Sequence, residues 1–140
     1  MEKFRFLIGK WTLKYTIPES VFSVAATGKG EGTFKRVMND KYVFFDYKAE
    51  FTTGSAQAHG IFARDDSQGI YRYWWFENSG SFRTATCDFT DDKTLFMNWH
   101  DTNLIQTFEK IEDDHIVLKM SSPAKGQHFE PVLIVDLFRK

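Results

Sequence analysis

One cysteine is all the chain has, so Cys87 has no partner for an intrachain disulfide and the fold must hold without covalent cross-links. A lone thiol is compatible with a reducing compartment. Charge of one sign is also lacking. Eighteen basic and nineteen acidic residues are mixed along 140 positions and leave a net charge of −1. Without a basic face or arm, the electrostatic footprint of a nucleic-acid-binding protein is missing. No apolar run approaches the roughly 20 residues of a membrane-spanning helix. Met1-Glu2-Lys3-Phe4 opens the chain without the apolar core of a secretion signal. The expectation is a cytoplasmic protein with neither a membrane nor a nucleic acid as partner.

Chemical motifs are equally sparse. His59, His100, His115 and His128 are far apart and share no ligand-like spacing, so no metal and no cofactor is expected. No nucleophile elbow or Cys–His context marks a covalent catalyst. Gly28-Lys29-Gly30-Glu31-Gly32 lacks the spacing and the following helix of a dinucleotide fingerprint. Its glycines recur every second residue and would share one face of a strand, where missing side chains let the strand bend and other groups approach. The acidic pair in Ala63-Arg64-Asp65-Asp66-Ser67-Gln68-Gly69 lacks the ligands and closing Glu of a calcium loop, and reads as a hairpin turn. Asp46 and Glu50, with Lys48 between them, read as a solvated strand face.

What the chain does have is aromatic side chains, 17 % of residues with fifteen Phe, and a strand-and-turn rhythm. A wide aromatic lining or dense packing inside a curved sheet would account for the excess. Trp11, Leu13, Tyr15 and Ile17 alternate with Lys10, Thr12, Lys14 and Thr16, and Pro18 ends that strand. Turn residues at 39–40, 53–55, 65–69, 78–80, 91–92, 101–103 and 113–114 punctuate the rest. The segments between them give about ten strands, the last being His128–Arg139. Residues 2–9 are long enough for one helical turn, placed to plug a barrel end. Short connections favour sequential neighbours, so the predicted fold is all-β: a single 1–140 domain, closed as an up-and-down antiparallel barrel.

Candidate site residues come from a register argument. If Arg64 faces Ile70 across the hairpin, one sheet face carries His59, Ile61, Ala63, Tyr71, Tyr73, Trp75 and Glu77. The other carries Gly60, Phe62, Arg64, Ile70, Arg72, Trp74 and Phe76. Two arginines on the second face suggest that it meets solvent, their stems covering apolar surface. The first face is then expected to line the lumen, and a slip of one residue would exchange the sets. His59, Tyr71, Tyr73, Trp75 and Glu77, with Trp99 at a strand end near the mouth, form the expected ligand-binding set: polar groups among aromatics orient a small molecule. Phe62, Trp74 and Phe76 would form an exposed patch through which the chain could assemble.

Gly9-Lys10-Trp11, after a short apolar lead-in, resembles the G-x-W opening of calycin-type barrels, the lipocalins and fatty-acid-binding proteins. The resemblance implies that Trp11 closes the barrel bottom. Phe6–Trp11, Gly30-Glu31-Gly32, His59–Phe62 and the run Tyr73–Gly80 follow one another in an order similar to a bacterial family of uncharacterised calycin-like barrels. In that family a Trp is followed by an acidic residue and a Ser/Gly turn, matched by Trp75, Glu77 and Ser79-Gly80. This implies a ten-stranded barrel and no particular substrate. A second resemblance, to the haem-binding nitrobindin-like barrels, would need an iron-ligating histidine on a late strand, near His128. In those proteins the glycine-rich stretch directly follows the opening Trp, whereas Gly28, Gly30 and Gly32 come after a long first strand.

The leading expectation is a binding barrel for a small apolar or amphipathic molecule. The alternatives are a haem barrel, an acid–base enzyme using His59 and Glu77, or an interaction module.

Overall fold

Ten stretches with period-2 burial form ten strands in the computed structural model, which describes residues 1–20, 24–123 and 129–140. They are β1 (Gly9–Ile17), β2 (Ala26–Val37), β3 (Tyr42–Phe51), β4 (Gly54–Asp65), β5 (Ile70–Glu77), β6 (Phe82–Asp91), β7 (Thr94–Trp99), β8 (Ile105–Glu112), β9 (His115–Pro123) and β10 (Phe129–Arg139). Each pairs antiparallel with the next, and β10 closes onto β1 through pairs such as Leu13–Leu137. Closure removes the free edges that would otherwise template aggregation. The predicted all-β, closed up-and-down barrel is the fold.

Turn chemistry drives the hairpins. Met38, Asn39 and Asp40 all have positive φ between β2 and β3. In the β4–β5 turn, the Asp65 carboxylate accepts from the Ser67 hydroxyl (2.7 Å), the Gln68 backbone N–H (3.2 Å) and Arg72 Nε (2.7 Å). Gly69 closes that turn at φ +69°, its N–H donating to the Asp65 carbonyl at 2.9 Å. The segment is the hairpin turn that the sequence predicts, with Asp65 as its organising acceptor.

A 3₁₀ turn, Glu2–Leu7, inserts Phe4 and Leu7 into one end of the barrel, both fully buried. Phe4 packs against Phe62, Tyr71 and Phe89 with ring centroids 4.9, 5.1 and 5.0 Å away. Trp11 lies against the same plug and donates its indole N–H to the Leu7 carbonyl at 2.8 Å. The Arg139 guanidinium covers the Trp11 ring 4.2 Å from its centroid and donates to the Ile8 and Phe6 carbonyls. Trp11 therefore closes the barrel floor, and the last strand locks it there.

The glycines of β2 face inward: side chains from β3 lean over Gly28 and Gly32, and Gly30 lies against the β3 backbone at Lys48 and Ala49. A Cβ on Gly32 would meet the Phe45 ring at 2.9 Å and the Tyr47 Cβ at 3.3 Å. Removing side chains from one wall lets the aromatic rings of its neighbour curve across it.

Candidate functional site

The 3₁₀ plug fills the half of the barrel where β1 begins. The other half, where β1, β3, β5 and β7 end, holds a cavity of about 340 Å³. That volume lies at the lower end of the roughly 300–1,000 Å³ typical of small-molecule sites. Its wall is mostly apolar, with Leu13, Phe45, Phe51, Leu118, Met120 and Val135 contributing from β1, β3, β9 and β10.

Tyr73, Trp75, Glu77 and Trp99 all line this cavity. The Tyr73 ring meets Trp99 at 5.7 Å, and Trp75 meets Trp99 at 6.3 Å, both edge-on. Each indole N–H has a partner. Trp75 Nε1 donates to the Tyr47 hydroxyl at 2.9 Å, and Trp99 Nε1 donates to Gln106 Oε1 at 3.1 Å. These bonds hold the two large rings in place and keep buried donors satisfied. Burial pushes the Tyr73 hydroxyl well above its ordinary pKa, and that of Tyr15 likewise, so both are neutral O–H groups across the physiological range. Tyr47 is shifted the same way by burial, against the opposing effect of the Trp75 hydrogen bond.

Glu77 and Arg83 stand at the mouth. Glu77 ends β5, and its Oε1 accepts from the Ser79 hydroxyl at 2.7 Å. The turn itself is tied by Gly80 N–H to the Glu77 carbonyl and Glu77 N–H to the Ser81 carbonyl, each 2.9 Å. The acid–Ser–Gly run noted in the sequence is thus a hairpin that fixes a carboxylate at the rim. Arg83 lies directly across from Trp75 on β6.

Two expected site residues are elsewhere. Tyr71 does point inward, but it packs beneath the plug against Phe4 and Phe89 and does not line the cavity. His59 is on the outer face of the wall, beside Phe44 (ring centroids 5.0 Å), where its Nδ1 hydrogen-bonds the Asp46 carboxylate. The cause is register: Asp65, not Arg64, pairs with Ile70, so Phe62 pairs with Tyr73 and His59 with Phe76. The connecting turn is one residue shorter than expected, which exchanges the two faces of β4. His59 and Glu77 therefore lie on opposite sides of the sheet and cannot reach a common substrate atom, which removes the acid–base pair.

Phe62 is corrected by the same slip. It is fully buried, its ring 4.3 Å from that of Tyr73, and it takes no part in an exposed patch. Trp74 and Phe76 do face outward, 36 % and 45 % exposed, and the apolar outer surface continues through Phe82, which pairs with Phe76.

The haem alternative rested on His128, which lies outside the described residues. No described histidine lines the cavity: His100 Nδ1 bonds the Thr84 hydroxyl (2.7 Å) and His115 Nε2 the Asp136 carboxylate (2.9 Å). Sequence reasoning missed Tyr15, Tyr47, Arg83 and Gln106. A signal for Gln106 existed, as the single polar position in the alternation Leu104, Gln106, Phe108.

No protein-family model matches the chain, and no curated protein matches it. Solved structures do. The S-type phycobiliprotein lyase CPES from Guillardia theta superposes with a TM-score of 0.71 at 7 % identity, covering 99 % of this chain and 91 % of its own. Rv2717c from M. tuberculosis gives 0.67 at 12 % identity, covering 100 % and 98 %. A de novo designed fluorescence-activating β-barrel gives 0.55 at 9 % identity, covering 100 % and 99 %. At these identities the likeness is one of fold alone, a closed antiparallel β-barrel.

Proposed function

We propose that this protein binds a small apolar or amphipathic molecule in the open half of its barrel. The observation that carries the reading is the cavity itself, about 340 Å³, aromatic-walled and already built, with both indoles held by hydrogen bonds to neighbours. A site whose rings are already positioned binds without the entropic cost of ordering them. Calycin-like barrels that include a phycobiliprotein lyase and a fluorescence-activating design support the same reading. As part of this proposal, the chain is a member of the uncharacterised bacterial calycin-like family and is cytoplasmic; the order of the resembling segments supports the first reading and the single buried thiol the second.

The test is titration with N-phenyl-1-naphthylamine, an uncharged dye that brightens in apolar surroundings. Saturable 1:1 binding is expected, and it should be lost in Ala56→Trp, which fills the cavity from the β4 wall. Dye binding that is absent, or that persists unchanged in a folded Ala56→Trp protein, would overturn the reading.

A further inference from the structure

Several hydrogen-bond donors in the lumen have no partner among the described residues. The Tyr47 hydroxyl oxygen and Gln106 Oε1 each accept one hydrogen bond, from the N–H groups of Trp75 and Trp99. Beside the O–H groups of Tyr15 and Tyr73, these two residues still offer the Tyr47 O–H proton and the Gln106 amide NH₂. That NH₂ has no partner among the described residues, although Gln106 is only 5 % exposed and lines the cavity. The amide is open to the cavity, so an acceptor that enters can take its hydrogen bond.

Arg83 adds a charge to these donors. It sits on the inward-facing register of β6, together with Ala85 and Cys87, and lines the cavity across from Trp75. Its guanidinium makes no ion pair or hydrogen bond with any described residue. Glu77, the one carboxylate lining the cavity among the described residues, is engaged by the Ser79 hydroxyl and is not paired with Arg83. The rim therefore presents a planar cation with its donors free, at the opening of an apolar, donor-rich chamber. A guanidinium in such a place recognises a carboxylate or a similar oxyanion through two parallel hydrogen bonds.

We propose that the ligand is an organic acid, with its apolar body against the contiguous rings of Trp75 and Trp99 and its anionic group on Arg83 at the mouth. This rests on the lumen being a ligand site and specifies the chemistry of what it takes. The anionic end stays near water, where its desolvation is small, and the apolar end supplies the burial.

Two dyes with the same ring systems separate the charge from the body: 8-anilinonaphthalene-1-sulfonate, which carries a sulfonate, and N-phenyl-1-naphthylamine, which carries none. The wild-type protein should bind the sulfonate more tightly. Arg83→Gln should weaken the sulfonate about tenfold and leave the uncharged dye within about twofold. Glu77→Gln, which removes the nearby negative charge, should tighten the sulfonate alone. If Arg83→Gln leaves sulfonate binding unchanged, or weakens both dyes equally, the acid-binding inference is overturned while the lumen site stands. If neither dye binds the wild-type protein in a manner blocked by Ala56→Trp, the lumen reading fails and takes this inference with it.

Discussion

The phenol of Tyr73 occupies the space that a side chain on Gly60 would need: the Tyr73 hydroxyl and ring are the nearest atoms to a Cβ built there. The two residues sit on neighbouring strands with inward-facing positions, and the ring lies over the bare backbone. Gly60→Ala should therefore destabilise the barrel by about 1–3 kcal/mol, the range for overpacking a closed core. Urea unfolding of Gly60→Ala, Tyr73→Leu and the double variant checks this. The double variant should lose less than the sum of the singles, because the smaller side chain makes room for the added methyl.

Phe62 and Phe76 lie one strand apart with opposite fates. Phe62→Ala should cost about 3–5 kcal/mol, as expected for emptying a fully buried aromatic site. Phe76→Ala removes a side chain 45 % exposed on the outer face and should stay within about 1 kcal/mol. Midpoints of denaturant unfolding discriminate the two. Equal costs would contradict the β4–β5 register.

Arg139→Lys should lower stability by about 1–2 kcal/mol despite conserving charge. The guanidinium stacks on Trp11 and at the same time serves the Phe6, Ile8 and Asp113 carbonyls, a geometry that an ammonium cannot reproduce. The accompanying signature is an increase in amide exchange across residues 2–8, because the plug loses its tie to β10.

Stability should fall on the alkaline side. Burial pushes the Cys87 thiol up to about 12 from an ordinary value near 9, and also raises Tyr15, Tyr47 and Tyr73. The unfolded chain therefore loses these protons first, so stability declines as pH rises from about 9 towards 12. Cys87→Ala should remove the thiol's share of that slope. In the native protein near pH 8, Cys87 should react with thiol reagents only as fast as the barrel opens.

An acid limb should come in part from Asp65. The Ser67 hydroxyl and then Arg72 hold its carboxyl down to about 2, below its ordinary value near 4. A depressed folded pKa contributes stability that is present above the unfolded value and is lost as pH falls from about 4 through 2. Asp65→Asn should flatten that limb in acid-unfolding curves. The substitution keeps the side chain's capacity to form the turn.

The strand count, the turns and the 3₁₀ plug were legible because each depends on local chemistry. Asn39-Asp40 adopts positive φ and Pro18 follows the last residue of β1, as those residue types predict. Tyr73 and Trp75 were also legible as inward-facing positions, and Trp99 as a residue at a strand end near the mouth. Tyr47 and Arg83 were not, since their place in the cavity depends on strands being brought around a closed ring; Gln106 was marked by its polar break in an apolar alternation, but its pairing with Trp99 was not. The His59 error has one cause. Asp65 remains in β4, and Gly69 turns the chain one residue sooner than a five-residue loop would.

The amino-acid sequence by itself determined a ten-stranded antiparallel barrel, because alternation and turn residues act over a few positions and allow few other closures. It did not determine which face of β4 looks inward. Aromatic and aliphatic side chains occupy both faces of the β4–β5 hairpin, so the apolar pattern is nearly unchanged by a one-residue slip. Only the closed barrel decides between the two arrangements. Gly60 must face the lumen so that Tyr73 can lie across it, and that places Phe62 in the core and His59 on the outer face.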